Sequence, residues 1–207
     1  MPPFAKPVDL SGEERHEVGS GADHRPRGGW RTDLASLGTP AFRLYLLRHA
    51  RAAWAEPGQS DFDRSLDDDG FAEAEVIAEE AADQGYKPAL IFSSTAARCR
   101  QTAEPFHRSV SQDLTIEHVD QLYSGTIDAY AELAFASRQE TSVMIVGHNP
   151  MIEELFHRLV GKEIAEAAAP FGYPTAGLAI LDFDERPSED AYAGACLAGF
   201  MTPRPAR

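Results

Sequence analysis

Residues 44–54 read LYLLRHARAAW, and the fold turns on how that stretch is understood. Four apolar or aromatic residues run straight into Arg48-His49, so the polarity changes in one step. A run this short and uniformly apolar suits a strand buried on both faces, because an amphipathic helix returns its apolar residues only every three or four positions. FRLYLL, 42–47, is therefore predicted to be such a strand. ALIFS at 89–93 and SVMIV at 142–146 read the same way, and LAILDF at 178–183 and GACLAGF at 194–200 give fainter strand patterns.

Between the strands a helical spacing takes over. Phe71, Ala74, Ile77, Ala78 and Ala81 recur at helical intervals. Asp67-Asp68-Asp69 ahead of them supply carboxylates suited to a helix N-terminus, and Gly85 supplies a stop. Further helices are predicted over 97–108, 127–138 and 150–160. Alternating strands and helices predict an α/β domain with a largely parallel sheet, and no internal repeat is present.

Composition bounds the function. A chain of 207 residues, 43% hydrophobic and 25% charged, has room for one domain with a sizeable core. No apolar run approaches the roughly 20 residues of a transmembrane helix, and MPPFAKPVDL has no apolar core of signal-peptide length. Two cysteines, Cys99 and Cys196, form no disulfide framework and no metal-ligand spacing, which fits a reducing cytoplasm. A net charge of −14 argues against a broad nucleic-acid or anionic-membrane surface, yet leaves room for a small phosphate pocket lined by arginines. Residues 1–40, polar and glycine-rich, are predicted to be a disordered arm that carries His16 and His24. The domain is expected over 41–201, followed by a flexible tail at 202–207.

Each confident strand is followed by a chemically loaded turn. After LYLL comes Arg48-His49-Ala50-Arg51; after ALIF comes Ser93-Ser94-Thr95-Ala96-Ala97-Arg98; after SVMIV comes Gly147-His148-Asn149-Pro150. Parallel strands place these carboxyl ends on one sheet edge, where open α/β folds bind ligands. Two histidines and at least two arginines then converge on one crevice. Guanidinium stays charged and forks its donors, so Arg48 and Arg98 suit a phosphoryl group. In GHNP, Asn149 is a good N-cap, Pro150 a good first helical residue, and Gly147 permits close backbone approach. His148 is then expected at a helix mouth that favours an anion. A neutral His49 imidazole can attack phosphorus, giving transfer to His49 and then to water, with the arginines and His148 stabilising the equatorial oxygens.

LYLLRHARAAW, DFDRSLDDDGFAEAE, LIFSSTAARCRQTAE, LYSG and VGHNPMIEEL together resemble the SixA-type branch of the histidine phosphatase (phosphoglycerate-mutase-like) superfamily, over about residues 43–182 and in the family's motif order. The resemblance implies a three-layer α/β/α sandwich with a mostly parallel sheet. It implies His49 as nucleophile, Arg48 and Arg98 as clamps and His148 as the second histidine; Asn149, next to His148, is a candidate substrate contact beside Arg48 and Arg98. No metal or other cofactor is implied. Ala50 stands where the superfamily more often has glycine, and Thr95 where it has proline, a change bearing on the loop that carries Arg98. Arg100 is close by, but the motif spacing selects Arg98.

The leaving group remains open at this point. Alkoxide departure calls for a general acid. Mutase-like branches use a mid-domain glutamate, and the matching stretch TIEHVDQLYSG offers Glu117 and Asp120 outside a recognisable motif; Asp61 and Asp63 are further candidates, and all four read equally well as solvated loop carboxylates. Imidazole is a better leaving group than alkoxide, so a site lacking a dedicated acid suits P–N cleavage. The resemblance agrees, implying a phosphohistidine phosphatase acting on a partner protein. The alternatives are a phosphatase of small phosphomonoesters and a catalytically silent phosphate-binding module. His107, His118 and His157 are scattered without zinc spacing, and Cys99 reads as a packed small side chain rather than a nucleophile.

Overall fold

The computed structural model describes residues 39–136, 139–187 and 194–203. The predicted N-terminal arm up to residue 38, with His16 and His24, lies outside the described residues, as do 204–207 of the tail. Six strands alternate with seven helices among the described residues: β1 (Phe42–Arg48), α1 (Asp68–Asp83), β2 (Leu90–Ser94), α2 (Ala97–Ala103), α3 (Pro105–Ser109), β3 (Thr115–Val119), α4 (Gln121–Ser124), α5 (Ile127–Ala136), β4 (Ser142–Gly147), α6 (Met151–Val160), α7 (Lys162–Ala168), β5 (Leu178–Phe183) and β6 (Cys196–Met201). A short 3-10 turn, Asp61–Asp63, interrupts the loop between β1 and α1.

The sheet order is β3-β2-β4-β1-β5-β6. Strands β1 to β4 run parallel, so their carboxyl ends share one edge. Strands β5 and β6 return antiparallel, making the sheet mixed. Alternation along β1 sends Leu44 and Leu46 into a core shared with α5 and α6, and Tyr45 and Leu47 into a second core shared with α1 and α2. Helices on both faces leave the central strands no wet side, which is why they read as unbroken apolar runs. The result is the α/β/α sandwich expected. Across the β1–β5 junction, Arg43 donates to both carboxylate oxygens of buried Asp182 at 2.6 and 2.9 Å. No helix among the described residues is long and apolar enough to cross a membrane.

Several elements depart from expectation. The single helix predicted over 97–108 is two, because Pro105 brings no N–H to the ladder and starts α3 as its first residue. The helix predicted over 127–138 spans Ile127–Ala136, and positions 137–138 lie outside the described residues. Phe71 is not on the buried stripe of α1 but 44% exposed; Gly70 takes its place beside Ala74, Ile77, Ala78 and Ala81. Glycine is required there, since a Cβ at position 70 would lie 1.9 Å from the Arg51 carbonyl oxygen. That close approach packs the segment following His49 against the start of α1. The fainter patterns at 178–183 and 194–200 are the two antiparallel strands.

Candidate active site

The three turns singled out above meet at the carboxyl edge of the parallel strands. His49 follows β1, His148 follows β4, and Arg98 lies in the first turn of α2, just beyond β2. The two imidazole rings stand 5.2 Å apart, centroid to centroid. His49 Nδ1 lies 2.8 Å from its neighbour's Ala50 carbonyl. A carbonyl only accepts, so Nδ1 carries the proton and the lone pair sits on Nε2. Ala50 is itself fixed, its N–H donating to Thr102 Oγ1 at 3.0 Å and the His49 N–H donating to the Gly147 carbonyl at 3.0 Å.

His148 has the opposite tautomer. Arg98 donates to its Nδ1 at 3.3 Å, which leaves the proton on Nε2, directed at Ser94 Oγ 2.9 Å away. Ser94 is steadied by the Ala96 N–H at 3.3 Å. Gly147 does allow a close approach, and the partner is Tyr130: a Cβ at 147 would lie 2.6 Å from the ring and 2.7 Å from the hydroxyl. That hydroxyl accepts the His148 backbone N–H at 3.2 Å.

Arg98 is 5% exposed. Arg48 donates to the Tyr173 carbonyl at 2.6 Å, and the Nε of each arginine is buried without a hydrogen-bond partner. Unpartnered buried guanidinium N–H groups are costly, and an oxyanion placed among them would satisfy them. Arg100, two residues on, is exposed.

Residues 44–123 match the family model of the histidine phosphatase superfamily (branch 1). A solved structure from Agrobacterium tumefaciens, provisionally designated phosphohistidine phosphatase SixA, is 46% identical and superimposes with a TM-score of 0.71, covering 78% of this chain and 98% of that one. A counterpart from Nakamurella multipartitia, likewise provisionally designated SixA, is 29% identical with a TM-score of 0.63, covering 79% and 98%. A chloroplast protein of Arabidopsis thaliana is 30% identical over 132 residues, and the match takes in 59% of this chain and 61% of that curated relative's length.

This chain belongs to the histidine phosphatase superfamily.

Electrostatics bear directly on what such a site can do. Burial, with the charges of Arg98, Arg48 and Arg64 adding to it, pushes His49 down to about 4 despite its bond to Ala50. Burial, then the neighbouring His49 and Arg98, push His148 down to about 3. Both rings are therefore neutral near pH 7, and His49 loses its lone pair only as pH falls through about 4. An NMR titration of the free protein is expected to show the His49 ring moving with a midpoint near 4; a midpoint at the ordinary 6.5 would contradict this environment.

The carboxylate candidates separate cleanly. Asp61, on the 3-10 turn, reaches the site: Arg98 donates to its Oδ2 at 2.9 Å and to its carbonyl at 2.6 Å. Partial burial acts to raise its pKa and is the largest single influence, but Arg98, Arg64 and Tyr123 together hold it below the usual carboxylate range. Asp120 accepts the Thr95 hydroxyl at 2.7 Å, which also shows what threonine does in place of proline there. Glu117 sits exposed in mid-strand on edge strand β3, in register with Phe92. Asp63 is exposed, and its backbone carbonyl accepts from Gln59.

Asn149 differs from its expected part. It does not cap α6, which begins at Met151 after Pro150, so Pro150 is the cap and not the first helical residue. Its Nδ2 instead donates to Glu153 at 2.9 Å and, at 3.4 Å, to the Tyr173 carbonyl. The free atom is Oδ1, buried and without a partner, and an acceptor oxygen is poorly suited to an anion. Asn149 thus ties α6 to the loop at 169–177 that also holds Arg48.

Three contributors escaped the sequence reading. Arg64, within DFDRSL, brings a third guanidinium close enough to lower the His49 pKa. Tyr123, from LYSG, sets its ring edge-on to His148 at 5.8 Å and to Phe62 at 5.1 Å. Tyr173 offers its carbonyl to Arg48 and ties its hydroxyl to the Leu46 carbonyl and the Ala179 N–H at 2.7 and 2.9 Å. Cys99 is fully buried 3.4 Å from His148 Nε2, and burial pushes its thiol up to about 12, which suits packing rather than attack. His107, His118 and His157 lie on α3, β3 and α6, and among the described residues no group of three or more His, Cys, Asp or Glu is placed to hold a metal ion.

Proposed function

We propose that this protein is a phosphatase that works through a phosphohistidine intermediate and removes phosphate from phosphohistidine on a partner protein. The observation that carries the reading is the neutral His49, its Nδ1–H fixed on Ala50 and its Nε2 lone pair free among the guanidiniums of Arg48, Arg64 and Arg98. Nε2 attacks phosphorus, the P–N bond of the substrate breaks, and the departing imidazole takes up a proton from water. A water molecule then attacks the phosphorus held on Nε2, releasing inorganic phosphate and restoring the neutral ring. Arg48 and Arg98 carry the negative charge of the transferring group in both steps, the charge a metal supplies elsewhere. His148, 5.2 Å from His49 and fixed by Ser94, faces the same group and holds the Arg98 fork in place.

The substrate class rests on the carboxylates. Asp61 is held ionised by Arg98, Asp120 accepts from Thr95, and the Glu117 and Asp63 side chains form no hydrogen bond or ion pair with a site residue among the described residues. A site without a protonated carboxyl favours imidazole over alkoxide as the leaving group. The similarity to proteins designated SixA supports the same choice. A chain with two cysteines and no paired spacing agrees with a reducing cytoplasm as the place of action.

A panel comparing phosphohistidine on carrier domains with sugar phosphates and aryl phosphates tests this reading. The expected result is a kcat/KM on a phosphohistidine protein at least about a hundredfold above that on any alkyl phosphate, given the gap between the leaving groups. A sugar phosphate turned over as efficiently, with loss in Asp61→Asn, would establish the small phosphomonoester reading instead. Anion binding with no turnover across the panel would mark a silent phosphate-binding module.

A further inference from the structure

Arg98 is already occupied in the free protein. Its two terminal nitrogens hold the carbonyl and the Oδ2 of Asp61 at 2.6 and 2.9 Å, and one of them also faces His148. The same carboxylate pairs through Oδ1 with Arg64 Nε at 3.2 Å and accepts at Oδ2 from the Tyr123 hydroxyl at 3.4 Å. Two guanidiniums and a phenol gather around one carboxylate, and the Arg64 Nε–H beside it is buried without a hydrogen-bond partner, so together they are suited to the equatorial oxygens of a phosphoryl group. A carboxylate has taken that place.

The two partners differ in freedom. The Arg98 side chain is 6% exposed, whereas that of Asp61 is 57% exposed on a three-residue turn that contributes no buried residue to the core. If the pair separates, it is the carboxylate that moves into water, at small cost to the fold. Arg98 meanwhile keeps its place beside His148.

We propose that Asp61 is an internal competitor for the phosphoryl site: its carboxylate rests on Arg98 in the free enzyme, gives way to the phosphoryl group, and returns as inorganic phosphate departs. The proposal rests on the phosphatase reading for the identity of the incoming anion. It assigns Asp61 a part in selectivity and product release rather than in proton transfer. A singly charged carboxylate ligand gains little over the group it displaces, whereas a dianionic phosphoryl group brings more charge and a third oxygen to Arg98, Arg64 and Arg48. Re-entry of the carboxylate weakens the hold on product.

Calorimetric titration of the full chain with inorganic phosphate at pH 7 reads this directly, with Asp61→Asn and Asp61→Ala beside the native protein. Removing the competitor is expected to tighten phosphate binding about threefold to tenfold in both variants, the scale of a partly exposed ion pair. A merely structural part for Asp61 predicts weaker binding, because loosening the turn only loses contacts. Unchanged or weaker binding in variants that keep the native circular dichroism would overturn the proposal, as would a native protein that binds no phosphate in any form. Titration needs no turnover, so a failure of the phosphohistidine assignment in the substrate panel leaves this result separately readable.

Discussion

Replacing His49 with alanine is expected to lower kcat/KM by about 10^4-fold or more, because loss of a covalent nucleophile forces a direct attack by water that the site is not arranged to assist. The fold has little stake in the residue. The His49 ring makes one hydrogen bond among the described residues, to its neighbour's carbonyl, while the backbone bond that holds the turn, from the His49 N–H to Gly147, survives the substitution. Assay against a phosphorylated carrier domain, with thermal unfolding as the control, separates chemistry from stability. Turnover within tenfold of the native rate in a folded variant would remove His49 from the mechanism.

Arg98→Lys is expected to lower kcat by about 10^2-fold to 10^3-fold, the scale seen when a donor aimed at developing charge is lost. Charge alone is preserved in this variant. What goes is the planar fork, which here spans Asp61 and His148 at once and whose Nε is buried without a partner. A lysine ammonium is a point donor and cannot hold two oxygens of a phosphoryl group and the His148 ring together. Arg100→Ala, at an exposed position in the same helix, is the matched control and is expected to retain native kcat. Native kcat in Arg98→Lys would mean that the charge at this position, not the fork, is what matters.

Much of this was legible before any coordinates. The strands β1, β2 and β4 are buried on both faces, so their apolar runs stand out, and each ends in a polar turn because the chain leaves the core at the edge where ligands bind. Arg48, His49 and His148 could be nominated because each follows directly on such a run, and Arg98 because the motif spacing after β2 selects it. Strand β3 was not legible. It is an edge strand with Thr115, Glu117 and His118 exposed, and polar edge strands carry no apolar signature. Helix α1 was found but its face was read one residue late, since Gly70 has no side chain to mark the stripe and only the approach of the Arg51 carbonyl reveals its burial.

The supporting side chains were hidden for another reason. Asp61 and Arg98 are 37 positions apart, and Arg48 and Tyr173 are 125 apart. No periodicity reports a contact of that range; only the assembled sheet brings the loop at 50–61 and the loop at 169–177 over the same edge. Asn149 shows the converse. Its local sequence suits an N-cap, but its amide N–H group donates to Glu153 in the first turn of α6 and to the Tyr173 carbonyl, and its Oδ1 caps no backbone N–H.

The most direct measurement is a rapid-quench experiment in which the native enzyme meets a radiolabelled phosphohistidine protein and is stopped in alkali, followed by peptide mapping. The account predicts acid-labile, alkali-stable phosphate on the peptide carrying His49, approaching one group per chain during turnover. Label on any other residue, or sustained turnover with none on His49, would contradict it.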